Sequence, residues 1–97
     1  MVLEAAVIRV KEGMCNEFES QFRKASHFIA RAEGYVEHEL HKCVEEPDQY
    51  LMLVKWQSIS DPIAGFRKSE DFREWQAMLE PYCAEPPAGL YFVKIRL

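Results

Sequence analysis

The stretch Tyr50-Leu51-Met52-Leu53-Val54-Lys55-Trp56 is apolar or aromatic at every position but Lys55. Bounded by Glu45-Glu46-Pro47-Asp48 and Ser58-Ile59-Ser60-Asp61-Pro62, it has the length and composition of a strand. Alternation puts Tyr50, Met52, Val54 and Trp56 on one face and Leu51, Leu53 and Lys55 on the other. Both faces therefore expect cover. A chain of 97 residues with one small sheet has helix for one of them, so the face of Leu51 and Leu53 is expected to meet a second copy, as a homodimer.

The other elements follow from their periods. Val2–Lys11, with Val2, Val7, Ile8 and Val10, reads as a first strand whose apolar run is broken by Glu4 and Arg9. After Gly13 the period lengthens. Met14, Phe18, Phe22, Ala25 and Ile29 form one helical stripe opposite Glu17, Gln21, Lys24 and Arg31, and Gly34 is expected to close the helix. Tyr35–Val44 alternates as a second strand, with Val36, His38, Leu40 and Lys42 on one face and Tyr35, Glu37, Glu39 and His41 on the other.

A hairpin through Glu45–Gln49 is expected to set His38 beside Trp56 and Leu40 beside Val54. Ser58–Lys68 reads as a short helical crossover with Ile63 and Phe66 pointing inward, weakened by Gly65. A helix from Ser69 carries Phe72, Trp75, Met78 and Leu79 up to Pro81, and Leu90–Arg96 is a last strand. The order strand, helix, strand, strand, helix, strand predicts an α+β ferredoxin-like sandwich, a four-stranded antiparallel sheet with the helices on one face, in one domain spanning 1–97.

Composition changes this picture little. Twelve Lys and Arg against sixteen Asp and Glu give a formal net charge of −4, and no basic block points to nucleic acid. No run approaches a membrane span and the N-terminus has no leader pattern, so a cytoplasmic location is expected. Cys15, Cys43 and Cys83 are odd in number and widely spaced, which suggests reduced thiols rather than a disulfide framework or a zinc knuckle.

Three motif groups then fall in order: Gly34-Tyr35-x-x-His38-Glu39-Leu40; Pro47-x-x-Tyr50-x-x-x-Val54-x-Trp56-x-Ser58; and Gly65-Phe66-Arg67-x-Ser69-x-x-Phe72-x-x-Trp75. Together they resemble the antibiotic biosynthesis monooxygenase domain family, a branch of the dimeric α+β barrel superfamily, over nearly the whole chain. The resemblance implies a homodimer with a cavity between sheet and helices in each subunit. It also implies activities ranging from cofactor-independent oxidation of phenols or quinols to haem degradation. The haem-degrading members carry a tryptophan, a histidine and an asparagine where this chain has Phe66, Gln76 and, near the asparagine, Ala6. Their mechanism is therefore not expected, and neither is a cofactor. Many relatives also have a histidine where this chain has Pro62.

Candidate chemistry is sparse. His38 and His41 are three apart in a strand, which sends them to opposite faces and argues against a shared metal. His38, placed beside Trp56, is the candidate catalytic base. Phe22, Trp56, Phe66, Trp75 and Tyr91 are the candidate substrate-binding walls around a small flat hydrophobic or aromatic ligand, with core packing as the ordinary reading of each. Tyr50 and Arg67 could bind a ligand oxygen, although Arg67 is expected to form a surface ion pair with Glu70 or Asp71. Residues and resemblance together leave two functions open: a small cofactor-independent monooxygenase or a related lyase or isomerase, or else a non-catalytic binding or accessory dimer. Haem binding without degradation is a third.

Overall fold

A computed structural model describes residues 1–97. Four strands, β1 (Val2–Arg9), β2 (Tyr35–Lys42), β3 (Gln49–Trp56) and β4 (Ala88–Phe92), form one antiparallel sheet in the order β2-β3-β1-β4. Helices α1 (Cys15–Ala30) and α2 (Glu70–Leu79) cover one face, α2 entered through a π turn, Asp61–Gly65, and a 3₁₀ turn, Phe66–Lys68. This is the ferredoxin-like α+β arrangement expected from the element order. No helix is long and apolar enough to cross a membrane.

The core lies between this face and the helices. Tyr50, Met52, Val54 and Trp56 of β3 pack there against Ala6 and Ile8 of β1 and against Phe18, Phe22, Ala25 and Ile29 of α1. The helical stripe buries as its spacing requires, except that Met14 stays exposed at the position preceding α1. Withdrawing a side chain of the size of Phe18 or Ile29 from water stabilises the fold by roughly 1.5–3 kcal/mol. The opposite sheet face exposes Val7, Leu51, Leu90 and Phe92, with Leu53 only half-buried.

Several local expectations are corrected. Helix α1 stops at Ala30, and Gly34 lies beyond it at φ +81°, turning the chain into β2. The hairpin closes with Cys43 N–H donating to the Gln49 carbonyl, so His38 pairs with Val54 and Leu40 with Met52, two residues from the expected register. A shift of two preserves the faces, which is why the burial pattern alone did not reveal it. A bulge between Tyr35 and Glu37 then sets Tyr35 opposite Trp56, on the helix side.

In the crossover, Pro62 and Phe66 are buried while Ile63 is exposed. Strand β4 begins at Ala88 and stops at Phe92, which pairs with Leu3. Beyond that pair β1 has almost no residues left to bond, so 93–97 leaves the sheet.

Candidate active site

A cavity of about 490 Å³ opens between the sheet and α2. Ile8 and Met52 form its floor from the sheet, Phe18 its α1 side, and Phe66, Phe72 and Trp75 an aromatic wall. The mouth is made by the segment from Cys83 to Pro87. That segment is fastened to the end of β1: Lys11 N–H donates to the Tyr82 carbonyl at 2.8 Å and Ala84 N–H to the Arg9 carbonyl at 2.7 Å.

Of the three carboxylates that line this space, Glu4, Glu80 and Glu85, only Glu4 is buried. Glu4 is 6 % exposed, the one charged residue in the buried set. Its Oε1 accepts from the Trp56 indole N–H at 2.9 Å and its Oε2 from the Arg67 guanidinium at 3.3 Å. Buried charge is tolerated where it is paired and hydrogen-bonded, and both conditions hold here. Arg67, expected to pair with Glu70 or Asp71, instead crosses to β1; Glu70 bonds Arg73, and Asp71 holds Arg31 through two contacts of 2.6 and 2.8 Å. The Arg67 guanidinium lies 5.6 Å from the centre of the Tyr91 ring.

The predicted walls separate into two layers. Phe66 and Trp75 line the cavity. Phe22 stands behind Trp75, edge to face at 5.2 Å, and Trp56 behind Phe66 at 6.0 Å. Tyr91, behind Arg67, carries the one buried side-chain polar atom without a hydrogen-bond partner, its hydroxyl oxygen. Burial pushes the Tyr91 phenol up, Glu4 adds to this, and Arg67 opposes it.

His38 is placed outside the cavity, between β2 and α1. Its Nδ1 lies 2.5 Å from the Tyr35 hydroxyl and its Nε2 3.0 Å from Ser26 Oγ. Because the Ser26 hydroxyl donates to the Phe22 carbonyl at 2.8 Å, it accepts from Nε2–H, which leaves Nδ1 to accept from Tyr35. Both ring nitrogens are thus occupied in the neutral form, and burial lowers the His38 pKa. His41 points to the other side of the sheet, toward Glu39 at 2.9 Å. Tyr50 is also removed from the cavity; its hydroxyl donates to Glu19 at 2.5 Å, with Lys42 Nζ 3.4 Å away.

Glu4 was the residue that sequence reasoning passed over, treating it as an interruption of β1. Its phase was the available signal, since Glu4 shares alternation with Ala6, Ile8 and Val10, all buried. Gly89, opposite Ala6 on β4, was missed as well. A Cβ there would sit 3.0 Å from Glu4 Oε2 and 3.4 Å from an Arg67 nitrogen, so glycine leaves room for the pair.

Comparison with known proteins agrees with this architecture. The Bacillus subtilis (strain 168) protein YczJ is 42% identical over 92 residues, covering 95% of this chain and 97% of its own. A crystal structure of an antibiotic biosynthesis monooxygenase-type protein from Bordetella bronchiseptica superposes with a TM-score of 0.94 at 32% identity, covering 98% of this chain and 97% of that one. SnoaB, a cofactor-independent oxygenase from Streptomyces nogalater, shares the fold at a TM-score of 0.84 and 21% identity, over 99% of this chain and 94% of its own. Residues 1–78 match the family described as antibiotic biosynthesis monooxygenase. With that match and relatives this similar along nearly the full length, the chain belongs to the antibiotic biosynthesis monooxygenase family.

Proposed function

We propose that this protein is a cofactor-independent monooxygenase acting on a small flat substrate of quinol or anthrone type, held in the cavity between sheet and α2. The observation that carries this reading is a buried, doubly hydrogen-bonded carboxylate, Glu4, facing a cavity walled by Phe66, Phe72 and Trp75. The aromatic wall suits a flat ring system, and the low polarity of the space strengthens any interaction with a developing charge. The family match and the fold shared with SnoaB support the reaction class.

In this reading Glu4, rather than His38, accepts the substrate proton. The electron-rich anion passes an electron to dioxygen, and a carbon–oxygen bond then forms. For an anthrone-type methylene the sum closes: one oxygen atom becomes the new carbonyl, and the other leaves as water with the two hydrogens of that carbon. The protein supplies binding, deprotonation and exclusion of bulk water. A homodimer through the sheet face bearing Leu51 and Leu53 completes the proposal. Its support is the exposure of Val7, Leu90 and Phe92 on that same face.

Oxygen uptake with an anthrone tests the assignment. Glu4→Gln should lower kcat/KM by roughly 10²-fold or more, and His38→Ala, where folded, by far less. Saturable binding with no uptake above buffer in the wild-type protein would favour a non-catalytic binding dimer.

A further inference from the structure

We infer that Arg67 determines specificity in the cavity by anchoring the ionised hydroxyl oxygen of an aromatic ligand, with Tyr91 as a positioning residue beneath it. The inference rests on the cavity being the substrate site and names what that site selects.

Arg67 contributes to the cavity lining, and its guanidinium makes one hydrogen bond, at 3.3 Å, to Glu4. A guanidinium carries five N–H donors in one plane. Donors therefore remain for a ligand, and the group is already drawn to the cavity: Glu4 accepts from one of its nitrogens, and its carbon lies 5.6 Å from the Tyr91 ring centre. A cation oriented before the ligand arrives spends little entropy on binding.

Tyr91 lies outside the cavity lining, so it acts on Arg67 and not on the ligand. An ionised oxygen gives the free Arg67 donors a charged acceptor, whereas an ether gives a weak neutral one and a hydrocarbon edge none, and that asymmetry is the basis of selection.

The test uses the full-length protein and two probes that report binding apart from turnover: a hydroxynaphthoquinone whose enol is ionised at neutral pH, and its methyl ether. Calorimetric titration should show the ionised compound binding at least about ten-fold more tightly than the ether. Arg67→Met should abolish that ratio while leaving affinity for the ether largely intact. Tyr91→Leu, which removes the ring beneath the guanidinium, should reduce the ratio several-fold. Arg67→Lys retains the charge without the planar fork of donors and should keep part of the preference, which guards against reading a folding defect as lost recognition. A ratio unchanged in Arg67→Met, or no binding of the ionised probe by the wild-type protein, overturns the inference. Intact selectivity without oxygen uptake from an anthrone would sink the monooxygenase reading alone.

Discussion

The indole N–H of Trp56 donates to Oε1 of Glu4 at 2.9 Å, joining side chains 52 residues apart beneath the cavity. Trp56 is fully buried, so the bond fixes one carboxylate oxygen and leaves the other to Arg67. Replacing Trp56 by Phe removes the donor from a nearly inaccessible charge. The expected loss is about 1–3 kcal/mol in unfolding free energy, measured by urea denaturation. Glu4→Gln keeps an acceptor for the indole and should cost less, because Arg67 is 42% exposed and can turn to water.

His38 should make stability depend on pH. Its folded pKa lies below the ordinary value of 6.5 because burial disfavours the imidazolium. Between those two values the unfolded chain binds more protons than the folded one, so stability rises with pH through that window. The contribution is complete above 6.5 and is lost as pH falls through the folded value. Melting curves across the mildly acidic range should fall for the wild-type protein and fall less for His38→Gln.

The two glycines with positive φ should respond differently to alanine. Gly34, at φ +81°, has no room for a Cβ, which would land on the Asp61 carboxylate that accepts from the Ser58 backbone N–H. Gly13, at φ +80°, has nothing within 4 Å. Gly13→Ala should cost only the backbone penalty, about 1–2 kcal/mol. Gly34→Ala should cost more, because the Asp61 contacts to Ser58 must also move. Thermal unfolding of the pair gives the comparison directly, and equal shifts would contradict the account of Gly34.

The outer sheet face should govern assembly. Leu53→Glu places a carboxylate at the centre of the surface proposed to pair with a second copy, where burying it unpaired costs several kcal/mol. Sedimentation or light scattering should show monomers or poorly soluble protein in place of dimers. A well-folded dimer from this variant would remove the sheet face from the interface.

Much of the fold was legible because the relevant signals are periodic. Alternation in β3 separated the buried set Tyr50, Met52, Val54 and Trp56 from Leu51 and Leu53, and the α1 stripe gave Phe18, Phe22, Ala25 and Ile29. The site was less legible. Phe66 and Trp75 reach the cavity, whereas Phe22 and Trp56 form the layer behind them, a distinction of depth that composition does not carry. Arg67 looked like a partner for its neighbours Glu70 and Asp71, yet Arg73 and Arg31 take those roles and leave it for a residue 63 positions away. Tyr35 changed face through a bulge, which breaks the alternation between Tyr35 and His38 and has no counterpart in the sequence pattern.

The sequence by itself determined the order of the main elements, the inward faces of β3 and α1, and the family, since each is written in local period or short-range motif. Tertiary structure decided the hairpin register, the place of His38 between β2 and α1, and the meeting of Glu4, Trp56 and Arg67 at the cavity. The physical reason is range: burial pattern is imposed residue by residue along an element, whereas the pairing of a buried charge is settled only when distant strands and turns are brought into contact.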